Sequence, residues 1–460
     1  MIVGHRFDRT IMREYDIRGI VGKNLTTADA LALGRSLGTI AAGRNGQLAV
    51  VGYDGRHSSP ILEEELCRGL ASSGMYVLRV GLVPSPGLYF ASKVLKADVA
   101  VMVTGSHNPS EYNGFKMMVE NRPFYGEQIQ DLRELALRGI WREARGGVMD
   151  IGAIVSGYVT RMMRDYTSRK GLKIVWDPGN GSAAPSTIAL AKVMPGEHYI
   201  INDEVDGTFP NHHPDPTVPE NLVQLQEAVA EAEADIGIAF DGDGDRIGVV
   251  DSQGRILWGD QLLAILSRDV LRNVPGASII ADVKASQMLF DEVARLGGDP
   301  VMAPTGHSII KSEMAKREAP LAGEMSGHIF FADKYYGYDD ALYTAVRLIN
   351  YLVVSGQSID ELRDELPQVV NTPEIRIDVD ESRKFAIVEE IKERLSQTDA
   401  DVNDIDGVRV NENGGWWLIR ASNTQNALVV RCEAEDESSL ENLKGRVKEQ
   451  FNLSGVNVDF

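Results

Sequence analysis

Short apolar runs alternate with helical patterns along most of this chain, and the runs end at Asp, Gly or Pro. Residues 48–52 form one such run, residues 60–73 follow with helical spacing, and residues 76–80 form the next run. Alternation of this kind predicts α/β units whose functional loops follow the carboxyl ends of the strands. The pattern therefore predicts that most of the chain folds into β-sheets with α-helices packed on them.

The same unit recurs further along the chain. Apolar runs at 172–176, 234–240 and 278–281 each end at an aspartate. Ala-Asp-Val at 97–99 and Ala-Asp-Ile at 234–236 begin equivalent runs, each followed by a polar loop. Similarity over such long periods indicates repeated structural units.

The C-terminal part has a different pattern. Residues 374–379 alternate as a half-buried strand does, and residues 383–396 form an amphipathic helical pattern. Two further strands at 416–420 and 428–431 precede a last helix at 438–449. We therefore predict an α/β protein with three related mixed α/β domains and a C-terminal α+β domain. The predicted domains are residues 1–151, 152–253, 254–367 and 368–460.

Length and charge limit the function classes. A chain of 460 residues is too long for one core, and its net charge of −20 argues against nucleic acid or an acidic membrane as partner. No apolar run approaches the roughly 18 residues that span a bilayer, and the N-terminus lacks a signal peptide's apolar core. Cys67 and Cys432 lie far apart, which suggests no disulfide framework. We expect a cytoplasmic protein, monomer or dimer, whose partner is a small molecule.

A buried-strand pattern at 99–103 stops abruptly at Thr-Gly-Ser-His-Asn-Pro, residues 104–109. This turn presents the hydroxyl of Ser106 beside an imidazole, and Asn-Gly-Phe-Lys at 113–116 can return the ammonium of Lys116 to the same place. The residue types are also those of an ordinary turn. A serine hydrolase is disfavoured because Gly-x-Ser-x-Gly is absent around Ser106. A plain turn and a phosphoryl-carrying serine are the two interpretations.

Asp241, Asp243 and Asp245 alternate with glycine directly after an apolar run. Three carboxylates so close together repel one another unless a cation neutralises them. An EF-hand is excluded because the loop has Arg246 at its sixth position and Ser252 at its twelfth. All-oxygen ligands favour Mg²⁺, Mn²⁺ or Ca²⁺ over zinc, and Mg²⁺ prefers sites shared with a phosphate. A solvated acidic turn is the alternative interpretation.

The summed charges of the aspartate loop, a bound cation and a phosphorylated serine connect the serine loop with the aspartate loop. Three carboxylates with one divalent cation leave a charge of about −1, and a phosphoserine adds about −1.5 to −2. A phosphorylated substrate brings a similar negative charge, so such a site requires several cations. Each candidate cation, taken singly, is typical of a solvated surface charge. The candidates at loop positions are Arg18, Lys116, Arg246, Lys284, His307, His328 and Arg420.

Two later loops have the chemistry of sugar and phosphate binding. Residues 323–328, Gly-Glu-Met-Ser-Gly-His, combine Glu324, Ser326 and His328, a set suited to sugar hydroxyls and proton transfer. Residues 420–424, Arg-Ala-Ser-Asn-Thr, combine a guanidinium with hydroxyl, amide and backbone donors, as an anion nest does. A polar loop and a plain hairpin turn are the alternative interpretations. No Walker loop or GxGxxG precedes a helix, so nucleotide chemistry is unsupported.

Five segments together resemble the α-D-phosphohexomutase superfamily, most closely its phosphomannomutase/phosphoglucomutase branch. They occur in the family's order and extend over nearly the whole chain. The segments are Tyr-Asp-Ile-Arg-Gly at 15–19, residues 104–109 with 113–116, Asp-Gly-Asp-Gly-Asp-Arg at 241–246, residues 323–328 and residues 420–424. The resemblance implies that the four domains surround a central active-site cleft and that the fourth is mobile.

The resemblance also implies a reaction and its residues. Phospho-Ser106 would give its phosphoryl group to a hexose 1-phosphate, and the resulting hexose 1,6-bisphosphate would return its other phosphate to Ser106. The catalytic residues would be Ser106, Lys116, Arg18, Arg246 and His328. The substrate-binding residues would be Tyr15, Lys284, His307, Glu324, Ser326, His328, Arg420, Ser422, Asn423 and Thr424. One Mg²⁺ per chain would be held by Ser106, Asp241, Asp243 and Asp245, with a catalytic hexose 1,6-bisphosphate as activator.

The sugar specificity is open, and two other classes of function remain as alternatives to a mutase. Met325 resembles the mannose/glucose branch, whereas the phosphoglucosamine branch has Gln there, and Asn426 replaces a proline that is common in the family. The prediction is an isomerase of mannose and/or glucose phosphates, with phosphoglucosamine mutase as the alternative. A metal-dependent sugar phosphatase would release phosphate without isomerisation, and a sugar-phosphate-binding protein would show no turnover. The general base is not assigned among Arg18, Lys116, His307 and His328.

Overall fold

The computed structural model describes residues 4–152, 154–380, 382–423 and 426–459. The strands of the first unit are β1 (Ile17–Ile20), β2 (Leu48–Tyr53), β3 (Tyr76–Leu82), β4 (Val99–Val103), β5 (Tyr112–Val119), β6 (Arg122–Pro123) and β7 (Gly147–Asp150). Its helices are α1 (Thr27–Gly43), α2 (Ser59–Ser72), α3 (Ser85–Leu95) and α4 (Glu127–Arg138), after a 3₁₀ turn at Arg9–Ile11. Within residues 4–152 the strands form one sheet in the order β1-β5-β4-β2-β3-β7, with β6 beside β5. Because β2, β3 and β4 are parallel, their following loops lie at one edge.

The second unit repeats this plan. Its strands are β8 (Leu172–Asp177), β9 (Gly196–Ile200), β10 (Ile236–Phe240), β11 (Ile247–Asp251) and β12 (Ile256–Leu257). Its helices are α5 (Val155–Met163), α6 (Ala184–Ala191) and α7 (Val223–Ala232), with a 3₁₀ turn at Pro219–Leu222. Among residues 154–380 these strands form a sheet in the order β12-β11-β10-β8-β9. Parallel pairing of β8 with β10 places the aspartate loop after β10 at the sheet edge.

The third unit is the smallest α/β sheet. Its strands are β13 (Ser278–Asp282), β14 (Asp299–Ala303), β15 (Leu321–Gly323) and β16 (Ile329–Phe331). Its helices are α8 (Gly259–Asn273), α9 (Gln287–Arg295), α10 (His307–Arg317), α11 (Ala341–Ser355) and α12 (Ile359–Asp364). The strand order among residues 154–380 is β14-β13-β15-β16, and β13 is parallel to β14 and β15.

The fourth unit is an antiparallel sheet with two helices. Its strands are β17 (Val370–Asn371), β18 (Ile375–Asp378), β19 (Asp401–Asn403), β20 (Val408–Glu412), β21 (Gly415–Ala421) and β22 (Ala427–Ala434). Its helices in the described ranges are α13 (Lys384–Leu395) and α14 (Glu437–Leu453). The order is β17-β22-β21-β20-β19, with β18 also beside β22. Three mixed α/β units followed by an α+β unit confirm the predicted fold class.

One contact shows how closely the first two units correspond. Asp98, before β4, accepts hydrogen bonds from the backbone N–H of Gln47 at 2.8 Å and of Leu48 at 2.9 Å. Asp235, before β10, accepts one from the backbone N–H of Lys173 at 2.7 Å. In both sheets the aspartate side chain thus links the start of its own strand to the start of the adjacent parallel strand. The sequence similarity between residues 97–99 and 234–236 reflects this shared contact.

The first three units contribute to one large apolar cluster, and the first and the fourth unit each also pack a cluster of their own. Val50 of β2, Trp176 of β8 and Leu348 of α11 belong to the same buried cluster. The fourth unit packs a separate cluster that includes Phe451. Burial of shared apolar surface holds the strand-end loops of the first three units at constant positions relative to one another. In the parts of the chain that the structure describes, no helix has the length and apolar character to cross a membrane.

Asp340 lies at the N-terminus of α11, inside a cluster of tyrosines that belong to the second and third units. Its Oδ1 accepts hydrogen bonds from the Tyr158 hydroxyl at 2.7 Å and from the backbone N–H of Tyr343 at 2.9 Å. Its Oδ2 accepts one from the Tyr335 hydroxyl at 3.0 Å. Burial raises the pKa of Asp340 to about 7, although all three donors favour the charged form.

The contribution of Asp340 to stability should therefore fall as the pH rises from about 4 to about 7. In this interval the folded chain keeps a proton on Asp340 that the unfolded chain has released, so each pH unit removes up to about 1.4 kcal/mol of unfolding free energy. The Asp340→Asn variant should show a flatter pH profile. Urea denaturation of both proteins between pH 4 and pH 8 measures the difference, and parallel profiles would contradict the assignment.

Candidate active site

Ser106 lies in the loop after β4, at the edge of the first sheet where β2 also ends. Its backbone has φ +49°, a left-handed conformation that costs a non-glycine residue roughly 1–3 kcal/mol. Its N–H donates to Oγ1 of Thr104 at 2.8 Å, and only 1% of the residue is exposed. The loop therefore holds the serine hydroxyl in a defined direction.

A buried ion pair from the neighbouring strand fixes this loop. Asp54, directly after β2, accepts a hydrogen bond from Oγ1 of Thr104 at 2.8 Å. The guanidinium of Arg56 donates to the carbonyl oxygen of Ser106 at 2.7 Å and to three further carbonyl oxygens of the loop. Sequence analysis gave neither residue a role. The available signal was their position after β2, because the carboxyl ends of parallel strands meet at one edge.

Replacing Arg56 with methionine should lower the unfolding free energy by about 3–5 kcal/mol. The reason is that Asp54, whose Oδ2 lies 3.1 Å from Nε of Arg56, would stay buried without its partner. The double variant Asp54→Asn/Arg56→Met should recover part of the loss because no unpaired charge remains. Denaturant unfolding of the three proteins checks this, and a single variant as stable as wild type would contradict it.

The three aspartates after β10 lie directly against Ser106. The serine Oγ donates a hydrogen bond to Oδ2 of Asp241 at 2.9 Å. Asp241, Asp243 and Asp245 are fully buried, and one oxygen from each lies within 4.8 Å of the others. A Cβ at Gly242 would lie 2.5 Å from the carbonyl oxygen of Ser106. Glycine at this position therefore allows the two loops to approach so closely.

Lys116 provides positive charge between two of these aspartates. Its Nζ, carried by β5, lies 2.7 Å from Oδ2 of Asp243 and 2.5 Å from Oδ2 of Asp245. Burial opposes the ammonium charge, but Asp243 and Asp245 hold the pKa of Lys116 well above its usual range. Burial, followed by the charges of Asp243 and Asp245, raises the pKa of Asp241 well above its ordinary value. One ammonium thus leaves the three carboxylates with surplus negative charge.

Two oxygens of this cluster have the properties of metal ligands. Oδ1 of Asp243 and Oδ1 of Asp245 are buried and have no hydrogen-bond partner among the residues that the structure describes. Unpartnered buried carboxylate oxygens are costly, and a cation removes that cost. The donor set is all oxygen, which hard divalent cations prefer. The aspartate loop is therefore suited to a divalent metal ion.

Two predicted arginines lie beside the serine and aspartate loops. Arg18 in β1 donates to Oδ1 of Asn108 at 2.5 Å and pairs with Asp16. Arg246 donates through Nε to Nε2 of His328 at 3.0 Å. The structure thus places Arg18, Lys116, Arg246 and His328 around the serine and aspartate loops.

His107 is the ring nearest to the serine hydroxyl. Its Nδ1 lies 3.4 Å from Oγ of Ser106. Burial, followed by the positive charges of Arg246 and Arg18, lowers the pKa of His107 well below its usual value. His107 is therefore neutral near pH 7 and adds no positive charge to the cluster.

The sugar-loop residues lie between β15 and β16. Oε1 of Glu324 accepts a hydrogen bond from the backbone N–H of Gly306 at 2.6 Å, and Oγ of Ser326 donates to Oε2 of Glu324 at 3.3 Å. Burial opposes ionisation of Glu324, but nearby basic side chains lower its pKa below the usual value. An ionised carboxylate beside a hydroxyl can hold two neighbouring sugar hydroxyls.

Two predicted cations of the cleft are buried and paired, not solvated. Nε of Arg420 donates to Oδ2 of Asp406 at 2.9 Å, and Nζ of Lys284 donates to Oε2 of Glu374 at 3.0 Å. Only 5% of Arg420 and 6% of Lys284 are exposed. Their partners lie in the fourth unit, so an anion bound by either cation would compete with a carboxylate for the same donor.

Tyr15 connects three units across the cleft. Its hydroxyl donates to the carbonyl oxygen of Thr305 at 2.7 Å and accepts a hydrogen bond from Nδ2 of Asn423 at 2.7 Å. The ring of His307 lies 6.3 Å from the Tyr15 ring, edge to face. Ser422 is buried beside this contact, and Thr424 lies outside the described residues. The fourth unit thus reaches the first unit through its predicted phosphate loop.

Comparison with protein-family models identifies all four units. Models described as phosphoglucomutase/phosphomannomutase alpha/beta/alpha domains I, II and III match residues 9–141, 156–254 and 258–370. The model described as the phosphoglucomutase/phosphomannomutase C-terminal domain matches residues 374–450. The four matches follow one another in order along the chain.

Curated relatives and solved structures agree with these matches. The phosphomannomutase/phosphoglucomutase of Pseudomonas syringae pv. tomato is 44% identical over 95% of this chain and 94% of its own. The phosphoglucomutase of Neisseria gonorrhoeae is 42% identical over 96% of both chains. The crystal structure of a phosphoglucomutase/phosphomannomutase family protein from Burkholderia thailandensis superposes with a TM-score of 0.93 at 38% identity, over 99% of this chain and 100% of the other.

Proposed function

Because this chain belongs to the phosphoglucomutase/phosphomannomutase family of phosphohexomutases, we propose that Ser106 is the phosphoryl carrier in its reaction. The enzyme interconverts hexose 1-phosphates and hexose 6-phosphates. The observation that carries the proposal is the 2.9 Å hydrogen bond from Oγ of Ser106 to Asp241, inside a buried cluster of three carboxylates. A serine held against such a cluster is suited to carry phosphate near a metal ion.

The proposed cycle starts from phospho-Ser106. The free hydroxyl of a mannose or glucose 1-phosphate attacks the phosphorus, the bond from phosphorus to Oγ of Ser106 breaks, and a hexose 1,6-bisphosphate forms. The bisphosphate turns in the cleft, and Oγ of Ser106 takes the phosphate from the other end. The hexose 6-phosphate then leaves, so the enzyme and the total number of phosphates are unchanged.

The aspartate loop is proposed to hold one Mg²⁺ through Asp241, Asp243 and Asp245, with an oxygen on Ser106 as a further ligand. When bound, the ion offsets the negative charge of the group being transferred. Support comes from the unpartnered oxygens of Asp243 and Asp245 and from the surplus negative charge of the cluster. A catalytic hexose 1,6-bisphosphate is proposed as activator because it can phosphorylate a serine that has lost its phosphate.

The basic side chains around Ser106 are proposed to stabilise the transferring group. Lys116, Arg18 and Arg246 bring fixed positive charges to a buried site, where they act more strongly than in water. The attacking hydroxyl must also lose a proton. The rings of His307 and His328, which stack at 5.5 Å, are proposed to take part in this proton transfer.

The remaining cleft residues are proposed to hold the sugar and its second phosphate. Glu324 and Ser326 fit neighbouring sugar hydroxyls, and a carboxylate–hydroxyl pair accepts a sugar in two orientations. The phosphate would bind near the end of β21, where donors from several units converge. The proposed substrate contacts are Tyr15, Lys284, His307, Arg420, Ser422, Asn423 and Thr424. The hydrogen bond between Tyr15 and Asn423 supports a closed cleft that retains the bisphosphate.

A coupled assay tests the proposed function and its sugar preference. The purified protein receives mannose, glucose or glucosamine 1-phosphate, with Mg²⁺ and a trace of glucose 1,6-bisphosphate, and each 6-phosphate is measured. We expect turnover of the mannose and/or glucose phosphates. Faster turnover of the glucosamine phosphate would assign the enzyme to phosphoglucosamine instead. Release of inorganic phosphate without a 6-phosphate would contradict the mutase proposal and indicate a phosphatase.

A further inference from the structure

Asp339 is a buried carboxylate that sequence analysis did not identify. It precedes α11 and is fully buried, and it pairs in an isolated bridge with Phe330 of β16. Its Oδ2 lies 3.2 Å from Nδ1 of His307 and 3.2 Å from Nδ1 of His328. One carboxylate oxygen therefore faces the same nitrogen of two rings.

Those two rings come from separate segments of the third unit. His307 begins α10, and His328 is the last residue before β16. The rings stack 5.5 Å apart with planes 18° from parallel. Without a shared partner each ring can turn over about its own side-chain bond, because the flipped ring fills almost the same volume. Oδ2 of Asp339 is hydrogen-bonded to Nδ1 of His307 and lies 3.2 Å from Nδ1 of His328, which favours the orientation with both Nδ1 atoms on the side of Asp339.

The contact with Arg246 shows which nitrogen of His328 carries the ring proton in this arrangement. Nε of Arg246 lies 3.0 Å from Nε2 of His328, and a guanidinium can only donate. Nε2 must therefore be the acceptor, and the ring proton is on Nδ1. The closest carboxylate oxygen to that Nδ1 is Oδ2 of Asp339, since Oδ1 of Asp245 is 3.5 Å away. Asp339, His328 and Arg246 thus lie in contact one after another, although Nδ1 of His328 makes no aligned hydrogen bond with any described residue.

Lys311 contacts the other carboxylate oxygen of Asp339. Its Nζ donates to Oδ1 of Asp339 at 2.9 Å and lies 3.4 Å from Nδ1 of His307. The lysine stands one helical turn after His307 on α10. It occupies the second carboxylate oxygen, so Oδ2 is left for the two imidazoles.

We propose that Asp339 is a positioning residue that keeps the rings of His307 and His328 in one orientation and, through His328, directs the guanidinium of Arg246 toward the serine loop. The inference rests on the proposed function, because it requires that these groups act on the transferring phosphate. Asp339 itself touches neither Ser106 nor the three metal-binding aspartates through a hydrogen bond in the described residues. Its effect on the reaction is transmitted by the two histidines.

The test compares Asp339→Asn with Asp340→Asn. Both replaced carboxylates are buried neighbours in the chain, but Asp340 contacts tyrosines and not the histidines. Turnover of glucose 1-phosphate with Mg²⁺ gives kcat and KM, and ¹⁵N-labelled histidine gives the ring tautomers by NMR without substrate. We expect Asp339→Asn to lower kcat by about 100-fold, to change KM by less than about threefold, and to mix the tautomers of both rings. Asp340→Asn should keep kcat within about threefold of wild type and leave the tautomers unchanged.

Wild-type kcat for Asp339→Asn, or histidine tautomers identical to wild type, would overturn the proposal. An equal loss of kcat in both variants would also overturn it, since the effect would then be structural. If Asp339→Asn fails to fold, the double variant Asp339→Asn/Lys311→Met is used in its place. It also removes the buried ammonium of Lys311, which would otherwise have no charged partner. If the wild type shows no mutase turnover, the proposed function fails, and the tautomers alone then decide whether Asp339 orients the rings.

Discussion

The Ser106→Ala variant is expected to lose mutase turnover by about 10⁴-fold or more. The hydroxyl that accepts and donates the phosphoryl group in the proposed cycle is absent in this variant. The loop itself should keep its shape, because Asp54 and Arg56 hold it through the Thr104 side chain and through backbone carbonyl oxygens. The loss should therefore appear in kcat and not in stability.

A second serine provides the matched control. Ser182 is also fully buried, and its Oγ donates to the carbonyl oxygen of Gly242 at 3.2 Å, within the aspartate loop. Ser182→Ala removes a buried hydroxyl close to the same cluster and should keep turnover within about tenfold of wild type. The coupled assay of all three proteins, with urea unfolding in parallel, measures both effects. Turnover of Ser106→Ala within about tenfold of wild type would rule out the serine as carrier.

Removal of the divalent metal ion is the second change with a large expected effect. Turnover should fall by about 10³-fold or more. Without the ion, the cluster of three carboxylates, which Lys116 contacts with a single ammonium, keeps a surplus negative charge that repels the phosphoserine and the transferring group. Treatment with a chelator followed by titration with Mg²⁺ measures the loss and its recovery. Full activity in the presence of excess chelator would contradict the proposed role of the aspartate loop.

The Asp243→Asn variant links this metal requirement to the loop. The substitution removes a charge from the cluster, and we expect the Mg²⁺ concentration for half-maximal activity to rise by more than about tenfold. Asp251→Asn is the control, because Asp251 is a buried carboxylate at the far end of β11 that pairs with Arg255. That variant should lose stability but keep the wild-type Mg²⁺ dependence. Identical Mg²⁺ titrations for Asp243→Asn and wild type would place the metal elsewhere.

The parts of the site that lie within one loop could be predicted from the sequence. Ser106, the three aspartates of residues 241–245 and the sugar loop at 323–328 each follow a recognisable apolar run, and their chemistry is contained in a few consecutive residues. Apolar runs also predicted β2, β4, β8, β10 and β13 close to their observed bounds. Local periodicity and local donor sets were sufficient for these features.

Contacts between distant residues could not be predicted in the same way. Arg56 reaches loop residues about fifty positions later, and Asp339 meets a ring 32 positions earlier. Arg420 and Lys284 were predicted to bind substrate, but their buried pairs with Asp406 and Glu374 were not predicted. Such pairs depend on the order of strands within each sheet and on the packing of the units. Neither the spacing of residues nor the net charge contains that information.

The most direct test of the account is to locate the phosphoryl group on the protein. The wild-type enzyme is incubated with glucose 1,6-bisphosphate and Mg²⁺, and its intact mass and phosphopeptides are then measured, with Ser106→Ala treated in the same way. We expect one phosphoryl group on the wild type, assigned to Ser106, and none on the variant. A phosphoryl group on another residue, or an active enzyme that never carries one, would contradict the proposal that Ser106 is the carrier.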